Sequence, residues 1–187
     1  MKNQEIIKKA FQDLDRKDFM EENKAFAHFD RPFSIGYGQT ISQPSLVLKM
    51  TLLLNPSKED KILEIGTGSG FQTALLAKVS KEVYTIETVE QLYNKAKDRL
   101  DKLGYDNAYF RLGDGKKGWK DNAPYDLIMV TAAAERTPME LVKQLAHNGK
   151  MVFVKKSDFE QDLILLYKKD NKVFEGKISK VRFVSLV

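Results

Sequence analysis

Lys61-Ile-Leu-Glu-Ile-Gly-Thr-Gly-Ser-Gly70 is the stretch from which the other elements of the chain can be placed. A short apolar run ends abruptly in three glycines at alternate positions, and residues 71–79 then carry apolar side chains at helical spacing. This pattern predicts a buried strand, a tight turn and a helix, with glycines that let a ligand approach the backbone closely. The dinucleotide pattern G-x-G-x-x-G is not matched, because its third glycine falls at Phe71. A tight connection that binds no ligand is the alternative interpretation.

Short apolar runs alternate with amphipathic stretches along most of the remaining sequence. Strands are predicted at 83–87, 108–112, 125–130 and 151–154. Helices are predicted at 3–14, 44–54, 89–103 and 138–149, with capping boxes at Thr88 and Thr137. The alternation predicts an α/β fold in which a mostly parallel sheet is covered by helices on both faces.

Two segments depart from this alternation. Residues 31–44 hold two glycines, two prolines and several hydroxyl groups without a clear period, which predicts an ordered loop. Runs at 163–167 and from 173 to Val187, separated by a polar turn at 169–172, predict a C-terminal antiparallel hairpin.

The composition narrows the class of protein. The chain has 187 residues, a net charge of +5 and no cysteine. Its length predicts a single domain over residues 1–187, and the lack of cysteine excludes a disulfide framework and a thiolate metal site. No apolar run is long enough to cross a membrane, and the N-terminus has no apolar signal segment. We therefore expect a cytoplasmic monomer without a membrane partner.

The positive charge is concentrated in the C-terminal part of the chain. From Lys143 onward there are ten Lys and Arg against five Asp and Glu, so this part carries the whole excess (10 − 5 = 5). An anionic partner such as a nucleic acid is one interpretation. A solvated, lysine-rich surface is favoured, because the lysines are dispersed and not interleaved with stacking aromatic residues. No nucleic-acid partner is predicted.

Candidate ligand-binding residues follow the ends of successive predicted strands, where open parallel sheets bind their ligands. Glu87 ends the second strand and can accept both hydrogen bonds of a ribose diol, or can serve only as an acid at a helix start. Asp114, between two glycines after the third strand, can accept from an adenine amine or can only shape the turn. Thr131 follows the fourth strand.

Two hydroxyl groups in the loop at 31–44 are candidates for contact with a substrate. Thr40 and Ser42 are two residues apart and can bind an anionic group, although Ser42 can also cap the helix that begins near Pro44. The only histidines, His28 and His147, are isolated, and His147 is expected at a helix C-terminus. A Ser–His–Asp hydrolase and a metal site are therefore disfavoured, and no metal is predicted.

At several positions the sequence resembles the protein-L-isoaspartate O-methyltransferase family. The glycine loop with an acidic residue before it is shared by many methyltransferases, so the discriminating block is Gly38-Gln-Thr-Ile-Ser42. The resemblance covers roughly residues 10–187. The matching blocks are Ile35 to Pro44, Leu63 to Gly70, Leu103 to Asn107, Leu112 to Gly115 with Gly118-Trp119, and Tyr125 to Ala134.

This resemblance implies a Rossmann-like class I methyltransferase fold with S-adenosylmethionine as the methyl donor. It implies methyl transfer to the free carboxylate of L-isoaspartyl residues in damaged peptides and proteins, which is a repair reaction. Residues 1–55 are then an N-terminal helical and substrate-loop segment, and residues 56–187 a cofactor-binding core. Ser42 and Thr40 match the active site. The expected cofactor residues are Glu64, Gly66, Thr67, Gly68, Gly70, Glu87, Asp114, Gly115 and Thr131.

The sequence departs from the family pattern at Asp15, Glu135 and Ser185, and its N-terminal segment is short. These positions leave the cofactor residues intact and concern how the cleft holds a peptide. Two alternatives stay open: an S-adenosylmethionine-dependent methyltransferase for a small-molecule acceptor, and a cofactor-binding module without catalysis. A nicotinamide dehydrogenase is disfavoured by the glycine spacing.

Overall fold

The structure is a computed structural model and describes residues 2–157, 159–170 and 172–186. Its helices are α1 (Lys2–Gln12), α2 (Pro44–Leu54), α3 (Phe71–Val79), α4 (Glu90–Lys102) and α5 (Met139–Gln144). Its strands are β1 (Phe33–Gly36), β2 (Gln39–Ile41), β3 (Lys61–Ile65), β4 (Glu82–Glu87), β5 (Ala108–Leu112), β6 (Tyr125–Ala134), β7 (Leu145–Lys156), β8 (Gln161–Lys169) and β9 (Lys172–Val181). Asn171 in the predicted polar turn and Val187 at the end of the predicted closing run lie outside the described residues.

A seven-stranded sheet in the order β5-β4-β3-β6-β7-β8-β9 forms the centre of the fold. Strands β5, β4, β3, β6 and β7 are parallel, and β8 and β9 complete the sheet in antiparallel orientation. Strand β3 lies between β4 and β6, and Ile62 to Ile65 are all buried because both faces of the sheet are covered. The predicted α/β fold with its C-terminal antiparallel hairpin is confirmed.

Helices cover the two faces unequally. Helices α2 and α3 pack on one face through Met50, Leu54 and Leu76, which contact the apolar side chains of β3, β6 and β7. The other face is covered by α5 through Leu141 and Val142. Helix α3 is buried on nearly all sides, since the N-terminal segment lies over its outer face.

The N-terminal segment encloses a small hairpin that the sequence pattern did not reveal. Strands β1 and β2 pair in antiparallel orientation inside the predicted loop at 31–44 and turn at Tyr37 and Gly38, whose φ angles are 54° and 71°. Strands of four and three residues are too short to show a period, so the loop prediction was incomplete. The hairpin is anchored by Phe33 and Ile41, which pack in one cluster with Phe71 of α3.

The helix predicted at 138–149 is shorter than expected. Helix α5 ends at Gln144, and residues from Leu145 onward form β7, whose first residue pairs with Tyr125 of β6. Pairing with β6 and burial of Leu145 outweigh the local helical pattern. His147 therefore lies on a strand, exposed and 3.8 Å from a carboxylate oxygen of Asp170, and its predicted place at a helix C-terminus was wrong.

Both predicted capping boxes are absent. Helix α4 begins after Val89 and α5 after Pro138, and neither has a side-chain cap hydrogen bond. At α4 the carboxylate of Glu87 instead accepts from the backbone N–H groups of Thr88 and Val89. A neighbouring strand end thus supplies the acceptor that Thr88 was predicted to provide.

Candidate active site

A cavity of about 850 Å³ opens at the carboxyl ends of β3, β4 and β6. Its floor is the loop between β3 and α3, and its sides come from the β2–α2 connection and from residues 179–186 after and at the end of β9. Three of the predicted site residues, Glu64, Gly70 and Asp114, do not line it. The predicted residues that line it are Thr40, Ser42, Gly66, Thr67, Gly68, Glu87, Gly115 and Thr131.

The three glycines of the loop differ in what surrounds them and so in why a side chain would or would not fit. A Cβ atom on Gly66 would lie 2.4 Å from Oγ1 of Thr131, a hydroxyl that donates to the Ile65 and Gly66 carbonyls at 2.9 and 2.8 Å. A Cβ atom on Gly70 would lie 2.4 Å from a methyl group of Leu100 on α4. Gly70 therefore serves packing between the loop and α4, outside the cavity. Around Gly68 the nearest atom to such a Cβ lies at 3.7 Å, so packing alone does not require a glycine there.

Glu87 holds the glycine loop and the start of α4 together. One carboxylate oxygen accepts from the Gly68 N–H at 2.8 Å, and the other accepts from the N–H groups of Thr88 at 2.9 Å and Val89 at 3.0 Å. The side chain is 6% exposed, and it faces the cavity. A carboxylate has about four acceptor positions, so one remains for a ligand hydroxyl. The structure thus shows Glu87 as an acceptor for the N–H groups at the start of α4. The carboxylate can also accept a hydrogen bond from a ribose hydroxyl.

Glu64 lies inside the protein and not in the cavity. Its side chain is fully buried, and one oxygen accepts from the hydroxyls of Thr73 at 2.6 Å and Thr85 at 2.7 Å. The pKa of Glu64 is raised to about 7, because burial and, to a smaller extent, the charge of Glu87 raise it more than the hydrogen bonds from Thr73 and Thr85 lower it. The Thr85 hydroxyl also lies 2.6 Å from that of Thr67, which lines the cavity. Glu64 therefore reaches the cavity only through Thr85 and Thr67.

Asp114 shapes the turn after β5. Its carboxylate accepts from the Lys116 N–H at 2.9 Å and lies 3.9 Å from the ammonium of Lys117. The adjacent Gly115 does line the cavity, and a Cβ atom there would lie 2.4 Å from a methyl group of Ile65. The turn places Gly115, and not the Asp114 side chain, against the cavity.

Thr40 and Ser42 line the cavity from the end of β2 and from the connection to α2. Helix α2 begins after Gln43 without a side-chain cap, so the alternative in which Ser42 caps this helix is wrong. Across residues 2–157, 159–170 and 172–186, neither hydroxyl makes a hydrogen bond. Both are therefore available to a ligand in the cavity.

Arg16 supports the Ser42 backbone and was not recognised from the sequence. Its guanidinium donates to the carbonyls of Ala27 at 3.2 Å, Phe29 at 3.1 Å, Arg31 at 2.9 Å and Ser42 at 2.9 Å. The residue is 5% exposed, and burial lowers the pKa of its guanidinium. An arginine still keeps its proton under these conditions. Arg16 lies in a charged run that begins at Asp15, and nothing in the sequence around it distinguishes this buried arginine from its exposed charged neighbours.

The part of the chain that the structure describes has neither a group of three potential metal-ligating side chains nor a helix long and apolar enough to cross a membrane.

A family model described as Protein-L-isoaspartate(D-aspartate) O-methyltransferase matches residues 1–187 of the chain. The chain belongs to this family. Two curated protein-L-isoaspartate O-methyltransferases are similar to it over most of its length. The one from Nitrosospira multiformis is 51% identical over 163 residues, which are 86% of this chain and 69% of the relative. The one from Dictyoglomus thermophilum is 44% identical over 188 residues, which are 100% of this chain and 84% of the relative.

Solved structures of protein-L-isoaspartate O-methyltransferases have the same fold as this family member. One has a TM-score of 0.88 and 28% identity over 96% of this chain, which spans only 60% of that longer chain. Another, from Plasmodium falciparum in complex with S-adenosyl-L-homocysteine, has a TM-score of 0.84 and 25% identity, and covers 97% of this chain and 90% of that one. The predicted family, its class I methyltransferase fold and its use of S-adenosylmethionine are thereby confirmed.

Proposed function

We propose that this chain transfers a methyl group from S-adenosylmethionine to the free carboxylate of L-isoaspartyl residues in peptides and proteins. One observation carries the proposal: the glycine loop with Glu87 and the unpaired hydroxyls of Thr40 and Ser42 line the same cavity. Membership of the family supports the same acceptor. In this proposal the cavity binds the cofactor on the side of β4 and the acceptor on the side of β2.

The residues present fit the cofactor. The cavity volume of about 850 Å³ lies within the range of about 300–1,000 Å³ that ligand pockets have. Gly66 and Gly68 carry no side chain into the cavity and would let the cofactor approach the backbone of the loop. The open acceptor position of Glu87 would take a ribose hydroxyl, and Gly115 lines the part of the cavity next to Ile65. When bound, S-adenosylmethionine supplies a methyl group on a positively charged sulfonium.

The chain's own contribution is binding and alignment. The hydroxyls of Ser42 and Thr40 would donate to the acceptor carboxylate and fix the direction of its reactive oxygen. A carboxylate is ionised at neutral pH and is itself the nucleophile, so no general base is required. This agrees with a cavity whose described lining includes no histidine. Alignment of reacting groups can lower a barrier by about 7–11 kcal/mol, which makes it the main source of rate enhancement here.

The same proposal includes the organisation of the chain. Residues 1–55 would form the acceptor segment and residues 56–187 the cofactor core, as parts of a single domain that acts as a cytoplasmic monomer. The position of residues 179–186 on the cavity adds a C-terminal contribution to the acceptor side. The lack of cysteine in the sequence supports a reducing compartment such as the cytoplasm.

Methyl transfer to paired peptides tests the proposal. Wild-type protein should methylate an isoaspartyl peptide and not the same peptide with an ordinary aspartate. Ser42→Ala should lower kcat/KM about 10- to 100-fold, the value of a lost hydrogen bond to a charged group, while cofactor affinity and melting temperature stay nearly unchanged. Ser34→Ala, on strand β1 of the adjoining hairpin and outside the cavity lining, is the matched control. Full activity in Ser42→Ala would remove this residue from the acceptor site, and methylation of small carboxylates but of neither peptide would favour the small-molecule alternative.

A further inference from the structure

We infer that the acceptor side of the cavity selects isoaspartyl peptides that carry acidic side chains beside the isoaspartyl residue. The inference rests on the proposed function and specifies the substrate class of the same site. It follows from the distribution of charge around the cavity, which the C-terminal basic excess of the sequence partly supplies.

Three cations line the cavity, and none of them lies on the glycine loop or on β4. Lys49 comes from α2, Lys180 from the end of β9, and Arg182 from the segment that follows β9. The acid among the described lining residues is Glu87, which lies on the cofactor side and accepts three backbone hydrogen bonds. The lining supplied by α2 and by residues 179–186 therefore carries positive charge, and the lining at the end of β4 carries negative charge.

Two of these cations have no acidic partner within the described ranges. Lys49 donates to the hydroxyl of Ser179 at 2.7 Å, a neutral group, and Arg182 is exposed. No carboxylate oxygen of residues 2–157, 159–170 or 172–186 lies within 4 Å of either side-chain charge. Lys180 differs, since it forms an ion pair with Glu160. The acceptor side thus keeps about two uncompensated positive charges from Lys49 and Arg182.

The backbone that carries Arg182 is held in place. The side chain of Gln161 accepts from the Phe183 N–H at 2.6 Å and donates to its carbonyl at 3.0 Å. Beyond it, Ala133 of β6 donates to the Val184 carbonyl and accepts from the Leu186 N–H. Because these bonds fix the segment against the sheet, Arg182 is part of the cavity wall and differs from a dispersed surface lysine.

The carboxylate of Asp30, at the start of α2, lies outside the cavity lining. It accepts from the Ser45 N–H at 2.8 Å. Its charge acts on the buried guanidinium of Arg16, whose pKa it raises against the lowering by burial. The charge of Asp30 is therefore partly offset by that of Arg16.

These charges act mainly on capture of the peptide. Charges at the rim of a site change the association rate and its salt dependence more than they change a chemical step. Salt screens exposed charges over about 8 Å at physiological ionic strength. We therefore expect a preference in kcat/KM, with little difference in kcat, that shrinks as salt is added.

Three isoaspartyl peptides that differ only in the two flanking residues test the inference. The two flanking residues are both Glu, both Gln or both Lys. For each peptide, kcat and KM are measured at low and high salt with the wild type and with the double variant Lys49→Gln/Arg182→Gln. Lys102→Gln/Lys78→Gln, exposed or half-exposed lysines of α4 and α3 outside the cavity lining, is the control with the same change in net charge.

Wild type and the control should favour the Glu peptide over the Lys peptide about three- to tenfold in kcat/KM at low salt, as expected for a few exposed charge pairs. The double variant should lose most of this ratio. Equal kcat/KM for the three peptides, or an unchanged ratio in the double variant, would overturn the inference. Absence of methylation of the neutral Gln peptide by wild type would instead count against the proposed function, so the two failures are distinguishable.

Discussion

Replacement of Arg16 by methionine should destabilise the protein and weaken its hold on the acceptor. The guanidinium makes four hydrogen bonds of 3.2 Å or less to backbone carbonyls, and a fifth contact of 3.5 Å to the Ile41 carbonyl. A hydrogen bond to a charged group contributes about 1.5–3 kcal/mol, but the sum over the set overestimates the loss. Several of the carbonyls are only partly buried and regain water, and methionine removes the cost of burying a charge.

The expected loss in unfolding free energy is therefore about 2–4 kcal/mol, within the range of a broken buried hydrogen-bond network. At about 2–4 °C per kcal/mol for a chain of this size, the melting temperature should fall by about 4–16 °C. Because one of the freed carbonyls belongs to Ser42, KM for the isoaspartyl peptide should also rise, while cofactor affinity changes little.

Three measurements on each variant check this expectation: thermal unfolding by circular dichroism, cofactor affinity by calorimetry, and peptide kinetics below the melting transition. Arg16→Lys should be intermediate, since an ammonium keeps the charge but has three donors and no planar fork. Arg111→Met is the control, because Arg111 is exposed on β5 and lies 3.8 Å from its partner Asp121. A melting temperature within 2 °C of wild type, together with an unchanged KM, would refute the role assigned to Arg16.

Two further predictions concern the buried carboxylates of the core. Glu87→Ala should weaken S-adenosylmethionine binding by about 1–3 kcal/mol, because a ligand hydroxyl and the Gly68 N–H lose their acceptor; unchanged affinity by calorimetry would remove Glu87 from the cofactor site. For Glu64, burial raises the pKa from 4.5 to about 7. Between these two pH values the native chain keeps a proton that the unfolded chain has lost. The free energy of unfolding therefore falls as the pH rises from about 4.5 to about 7, and it is level above that range. The Glu64→Gln variant cannot ionise at this position, so its stability relative to wild type should rise by up to about 3 kcal/mol over this pH range. A difference in unfolding free energy between variant and wild type that does not vary with pH would contradict the raised pKa of Glu64.

The central part of the fold was predictable because its signals are local. In β3 and the loop after it, an apolar run, alternate glycines and a helical period follow each other within a few residues. The carboxyl ends of parallel strands meet at one edge, so the order of strands was enough to bring Gly66, Glu87 and Thr131 together.

The remaining features depend on contacts between distant residues. Leu145 enters a strand because Tyr125 of β6 pairs with it, and Arg16 is buried because carbonyls from Ala27 to Ser42 surround it. Neither partner can be identified from local spacing. Glu64 and Asp114 are further examples. Their positions in the sequence fit a cofactor contact, but their side chains accept hydrogen bonds from Thr73 and from the backbone of Lys116.

The bridge between Ala133 and Ser185 has a consequence for how the site comes into being during synthesis. Ribosomes deliver the chain from its N-terminus, so the hairpin with Thr40, Lys49 and the glycine loop emerge early, and the segment that carries Arg182 emerges late. In the proposed function, the residues of the cofactor floor are therefore synthesised before residues 179–186, which complete the wall that faces the peptide. The contribution that we infer for Arg182 would thus depend on a segment that can bond to Ala133 only after both have been synthesised.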